Sequence, residues 1–158
     1  MSTAPKRAAF GVEKVEASAY TVPTDFPESH GTLEWDKTTI VIVEATSREV
    51  SGIGYTYADL STARLIDTLL RKVVEGRDAM DVTTSWVAMN KAVRNLGRPG
   101  IASMAISAVD IALWDLKARI LQVPLVKLLG AARTSIPVYG SGGFTSYSID
   151  QLQRQLSA

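Results

Sequence analysis

Residues 103–121 read SMAISAVDIALWDLKARIL, and the placement of their few polar side chains decides the fold. Ser103, Ser107, Asp110 and Lys117 follow one another in steps of four, three and seven, which is a single stripe on a helix. Met104, Ala105, Ala108, Ile111, Ala112, Leu116 and Ile120 fill the rest of the circumference. A helix apolar on most of its surface belongs in the middle of a domain. The spacing predicts one helix over 102–121, opened by the turn Gly97-Arg98-Pro99-Gly100 and stopped by Pro124, which lacks an N–H and pushes Val123 out of helical geometry. Asp115 and Arg119 lie four apart and can pair where the far end meets water, for about a few tenths of a kcal/mol.

Downstream, Pro124-Leu125-Val126-Lys127-Leu128-Leu129-Gly130 reads as a short helix, with proline at its first position and glycine past its end. Ser135-Ile136-Pro137-Val138-Tyr139-Gly140-Ser141-Gly142-Gly143 reads as a strand that ends in glycines, centred on 136–141. Ser148 with Gln151 three residues on makes a capping box, and Ile149, Leu152 and Leu156 fall on one face of the helix it opens. The tail is thus one β/α unit. A closed barrel takes eight such units, in roughly 200 residues or more.

Upstream, residues 11–22 alternate in part and read as a strand. TTIVIVEA at 38–45 is β-branched and apolar on both faces, a central strand. GIGYTY at 52–57 sets Ile53, Tyr55 and Tyr57 opposite Gly52, Gly54 and Thr56. Short connections between the three predict an antiparallel meander. Two helices follow. The first is capped by Asp59 or Ser61, carries Leu65, Ile66, Leu69, Leu70, Val73 and Val74 on one face, and ends at Gly76. The second opens at Asp81 or Thr83, spaces Trp86, Met89 and Val93 three and four apart, and stops at Gly97. Three strands and then three helices predict an α+β fold, a meander packed on helices, followed by one β/α unit of an incomplete barrel. The expected organisation is a loose start at 1–9, a domain over 10–133, and the β/α unit over 134–158.

Composition narrows the function. With 46% apolar residues in 158 the chain can bury a core. A net charge of +1, with scattered Lys and Arg, gives no footprint for nucleic acid or an acidic membrane surface. The absence of cysteine excludes disulfides and thiolate metal sites. No apolar run is long enough to span a bilayer, and residues 1–7 lack the apolar stretch of a signal peptide, so a cytoplasmic location is expected.

The run AISAVDIALWDLKARILQVPLVKLLGA at 105–131, followed by PVYGSGG at 137–143, resembles the mandelate racemase/muconate lactonizing branch of the enolase superfamily. The resemblance extends over about residues 8 to 158. It implies that the first stretch ends an N-terminal capping domain and that the second is the first strand of a catalytic barrel. It also implies a reaction class: removal of a proton alpha to a carboxylate, with the enediolate held by Mg²⁺ and a tuned Lys or His as base. The family's base ends the second barrel strand, typically in a K-x-K pair, and its three metal carboxylates end the third, fourth and fifth. Lys14, Lys37, Lys72, Lys91, Lys117 and Lys127 match none of these positions, and no K-x-K occurs. The expectation is therefore an N-terminal fragment of a Mg-dependent acid-sugar dehydratase, racemase or cycloisomerase. It would contain no catalytic residue, bind no metal itself and be inert alone. A small carboxylate substrate, the missing barrel and further copies of the chain are its expected partners.

Three stretches are candidates for substrate contact. TVPTDFPESHGTLEWDK at 21–37 reads as a long loop, with Pro23, Pro27 and Gly31 as breakers. Asp25, Glu28, His30, Glu34 and Asp36 suggest oxygen ligands for Mg²⁺ or Ca²⁺, but their spacing matches no calcium loop, and solvated charges are the simpler reading. In enolase relatives this loop folds over the barrel mouth, which would make Phe26, His30 and Trp35 a lid that excludes water and touches substrate. A surface loop with Trp35 packed on its own domain is the alternative. Ser51–Ala58 carries glycines that admit a close approach and two tyrosines, Tyr55 and Tyr57, that either line a second specificity loop or pack under the helices. At the glycine-rich turn, Ser141 or Thr145 could hydrogen-bond a substrate oxygen at a strand's carboxyl end. A phosphate there is a weaker reading, since G-S-G-G matches no nucleotide motif.

Asp110, Asp115 and Trp114 read as structural. The competing function is a non-enzymatic truncated module that associates with a barrel partner or with itself, because an unpaired strand at 136–141 needs cover. A third is a small-molecule binding domain using Trp35, Tyr55 and Tyr57.

Overall fold

A computed structural model describes residues 9–140 and 142–157. The chain divides into two compact units, residues 9–20 with Thr39–Gly130, and Thr21–Thr38 with residues 131–157. The three-stranded antiparallel sheet has the order β1 (Lys14–Ser29), β2 (Glu34–Ser47), β3 (Val50–Tyr57). Both β1 and β2 contribute residues to both units.

In the first unit, β2 meets β3 antiparallel with Val43 opposite Gly54 and Ala45 opposite Gly52. Val15, Val41, Val43 and Ala45 form the buried face, as alternation requires. The helix α4 (Ile101–Ile120) covers it. Ala105, Ala108, Val109, Ala112, Leu113 and Leu116 are fully enclosed, while Ser103, Ser107, Met104 and Ile111 face outward. The glycines of β3 explain how close the helix lies. A Cβ at Gly52 would land on Leu116 N and Ala112 O, and one at Gly54 on Ala108 O. Only hydrogen fits between strand and helix.

Asp59 caps α1 (Leu60–Leu65) by accepting from Ser61 N–H at 2.9 Å, which selects it over Ser61. The run continues through a π-helical turn at Ile66–Leu70, where Arg71 N–H reaches back to Ile66 O, and then α2 (Arg71–Val74). Ile66, Leu70 and Val74 are fully buried. In α3 (Val82–Ala92) the buried residues are Val82, Ser85 and Met89. Trp86, expected on that face, is exposed, with the Arg98 guanidinium 5.5 Å above its ring.

The end of α4 differs from expectation. The helix stops at Leu121, where Gln122 takes φ 54° and Val123 N–H bonds Ala118 O, before Pro124 is reached. Pro124 then caps α5 (Leu125–Leu128) and does not occupy its first turn. In the second unit α6 (Ile149–Leu156) has the capping box, with Ser148 Oγ and the Gln151 side chain each bonding the other's backbone N–H.

Two expectations are corrected here. Residues 21–37 are not a loop: β1 runs to Ser29 and β2 starts at Glu34, leaving only 30–33 as a turn, with Gly31 at φ 88°. Pro23 and Pro27 lie within β1, an edge strand, the place in a sheet where proline is tolerated. Conversely, 134–140 forms no strand, since no neighbouring strand offers a ladder; Val138 and Tyr139 are 87% and 92% exposed. Ser141 lies outside the described residues.

Candidate functional site

The second unit gathers Phe26, His30, Trp35 and Thr145. Carrying the strands to Ser29 and from Glu34 puts Glu28 and Trp35 within reach of each other near the hairpin tip, and Trp35 Nε1–H donates to Glu28 Oε2 at 2.7 Å. The His30 ring tilts against Trp35 at 5.3 Å between centroids. His30 Nδ1 lies 3.2 Å from Thr32 Oγ1, and among the described residues nothing pairs with Nε2.

Residues 144–147 supply the other half. Phe144 meets Trp35 edge-on at 5.5 Å and Tyr147 at 5.3 Å, and Tyr147 meets Phe26 at 6.1 Å. Such T-shaped contacts set a positive ring edge against a negative face. Thr145 N–H donates to Ser29 O at 3.1 Å, Thr145 Oγ1 to the same oxygen at 3.0 Å, and the two hydroxyls lie 2.7 Å apart. Ser146 Oγ donates to Pro27 O at 2.6 Å. Desolvation holds the Tyr147 phenol above its ordinary value, with the charges of Glu28 and Asp25 and a hydrogen bond to Glu28 adding to the effect.

Thr145 thus spends its hydroxyl and its N–H on the hairpin. The glycine turn is similarly committed, because Gly143 N–H donates to Gln155 Oε1 at 2.7 Å, which removes a donor that a phosphate would need. Ser29 and Tyr147 were not singled out in the sequence, and Glu28 was read there only as a solvated or metal-binding carboxylate. A capping box fixing α6 just after 144–147 was the only signal that this segment has a defined path.

Tyr55 and Tyr57 belong to the first unit. They are 63% and 71% exposed, on the sheet face away from α4, so they do not pack under the helices. The glycines between them serve the close approach of α4. Among the described residues no three His, Cys, Asp or Glu side chains converge on a point that could hold a metal ion. Asp115 and Arg119 pair at 2.7 Å, and Asp115 also accepts from Ile53 N–H at 2.9 Å, a structural use.

Comparison with known proteins agrees with this architecture. The family model of the mandelate racemase / muconate lactonizing enzyme N-terminal domain matches residues 14–130. The chain belongs to that family. The L-talarate/galactarate dehydratase of Salmonella typhimurium is 36% identical over 74% of this chain and 31% of its own length. The 3,6-anhydro-alpha-L-galactonate cycloisomerase of Streptomyces coelicolor is 37% identical over 83% of this chain and 38% of its own. Among solved structures, a mandelate racemase/muconate lactonizing enzyme-like protein from Rubrobacter xylanophilus superposes with a TM-score of 0.89 at 55% identity, over 92% of this chain and 41% of that one. A Streptomyces coelicolor racemase with bound magnesium gives 0.85 at 32%, over 92% and 43%. The chain spans about a third of the length of the two curated relatives.

Proposed function

We propose that this chain is the substrate-closing cap, over 10–133, and the first β/α unit, over 134–158, of a magnesium-dependent enzyme that removes a proton alpha to the carboxylate of an acid sugar or 2-hydroxy acid. The observation that carries the reading is the hairpin tip, where His30 and Trp35 lie ring against ring in a family whose curated relatives include acid-sugar dehydratases and a cycloisomerase. Trp35 and Phe26 exclude water from the reacting carboxylate, which strengthens every charge interaction beneath them. His30 turns Nε2 to a substrate oxygen. The base and metal carboxylates that the family resemblance puts on later strands have no counterparts in these 158 residues, so the roles assigned here are those of cover and selector. Tyr55 and Tyr57, exposed on the face of the first unit's sheet away from α4, are the proposed second specificity segment.

A barrel is the proposed partner. Ile136, Val138 and Tyr139 are exposed in an extended segment without ladder partners, and burial in a parallel sheet would cover them. The non-enzymatic module rests on the same segment and gains no observation of its own. Self-association and a cytoplasmic site belong to the same proposal; among the described residues no helix is long and apolar enough to cross a membrane.

The test is a chimera: residues 1–158 joined to the remainder of the Rubrobacter relative, assayed with Mg²⁺ against talarate, galactarate, rhamnonate and arabinonate. Turnover of one of them is expected, with kcat/KM lowered about tenfold or more by His30→Ala. A folded chimera inert on the whole panel, or one indifferent to His30, overturns the reading.

A further inference from the structure

Resting on that reading, we infer that Glu28, Ser29, Thr145 and Tyr147 form a latch that sets the position of the substrate-covering tip, and that Thr145 is a positioning residue and not a substrate ligand.

The hydrogen-bond directions follow from the geometry. Ser29 O carries no proton, so the Thr145 hydroxyl, 3.0 Å away, donates to it. Its one proton is then spent, and the Ser29 hydroxyl, 2.7 Å from Thr145 Oγ1, is the donor of that pair. Thr145 N–H donates to Ser29 O as well. Thr145 therefore offers a substrate no proton from its hydroxyl or its amide while the latch is closed. Glu28 acts from the other side. Its carboxylate takes the indole N–H of Trp35 on β2 and sets its charge against the Tyr147 phenol, whose ring packs edge-on against Phe26 and Phe144. Charge-assisted bonds of this kind are stronger than neutral ones and more directional.

The placement of these groups makes the arrangement a latch and not a core. Ser29 is only half-buried and Thr145 is exposed, so water competes for their bonds and opening is inexpensive. The aromatic rings of Phe26, Trp35, Phe144 and Tyr147 give the closed state one geometry. In that geometry the Trp35 ring, held by Glu28, is the surface against which His30 rests. The selectivity of the tip for a substrate is thus set partly by residues that never touch it.

The 158-residue chain with Trp86→Phe and Trp114→Phe leaves Trp35 as sole fluorophore of its kind. In this background Thr145→Val and Tyr147→Phe, which remove one hydroxyl each, are expected to raise acrylamide quenching of Trp35 about twofold. They are also expected to shift its emission to the red and speed amide exchange over 22–37, while exchange over 101–120 stays unchanged. Thr145→Ser, which keeps the hydroxyl, is expected to restore the parent values. Quenching unchanged in the Thr145→Val/Tyr147→Phe double variant, or a Thr145→Ser variant no different from Thr145→Val, overturns the latch. The readout needs no turnover, so a failed latch and an inert chimera are separate results.

Discussion

Between β3 and α4, backbone lies against backbone with only the hydrogens of Gly52 and Gly54 between; at the β1–β2 tip, side chains meet side chains through hydroxyls, a carboxylate and ring edges. The first junction excludes water and has no slack. The second is partly wet, directional, and built from groups that water can replace singly. Close packing tolerates no added atom, so the seam makes a platform, whereas the bonds of the tip can open one at a time.

The sharpest test of the seam is to add one methyl group there and one at an open position. Gly54→Ala puts a Cβ onto Ala108 O, where only a shift of α4 could make room. A loss of about 3 kcal/mol is expected in urea denaturation. Gly140→Ala adds the same methyl where no heavy atom lies within 4 Å, and its effect is expected within about 0.5 kcal/mol. Equal effects would mean that the seam is not as tight as the backbone distances require.

Next in size is Asp115, whose carboxylate ties Ile53 N–H on the open edge of β3 to Arg119 on α4. Asp115→Ala leaves that edge N–H without its acceptor and removes an ion pair. A loss of about 1–2 kcal/mol is expected, with a faster exchanging Ile53 amide. Arg119→Ala, which spares the bond to Ile53, is expected to cost about 0.5 kcal/mol or less.

These two sites show what could be read from the sequence. The Asp115–Arg119 pair and the long helix were legible because helix periodicity is local: four residues fix a neighbour. The Gly52/Gly54 alternation was legible too, but not its meaning, since the body that approached could have been a ligand or a helix. Pro23 and Pro27 were misread for a related reason. A proline's cost in a strand depends on whether the strand is an edge, and edge position is set by partners elsewhere in the chain. The latch was invisible for the same cause at longer range. Ser29 and Thr145 are 116 positions apart, and nothing in either residue's neighbourhood announces the other. Trp86 was grouped with Met89 and Val93 by spacing alone; those two are buried, but Val82 and Ser85 join them on that face in its stead. A small polar Ser there is what periodicity counts as a miss.

A smaller effect separates the units by location. Ser148→Ala removes one arm of the capping box of α6. About 1 kcal/mol of helix stability is expected to go, seen as faster amide exchange over 149–156. Exchange in α4, whose first turn has no side-chain cap, should not move.

The smallest expected change lies back on the platform. Asp110 stands on α4 half-buried, in a cleft of about 150 Å³ that Trp86, Asn90, Arg98, Ser103, Ile106 and Ser107 also line, and burial raises its carboxyl above the ordinary 3.8. A raised folded value means that the stability this group brings is whole below about pH 4 and is lost as pH climbs through the folded value. Near neutrality the ionised carboxylate is therefore held at a net cost. Asp110→Asn keeps the shape and removes the charge, so it is expected to stabilise the chain at about pH 7, by about a few tenths of a kcal/mol once solvent screening is allowed for, and to do nothing at about pH 3. Denaturation midpoints at the two pH values measure it. A stabilisation that persists in acid would place its origin in packing; a loss at neutral pH would mean that the ionised Asp110 holds a donor in that cleft, and burial would not be what governs it.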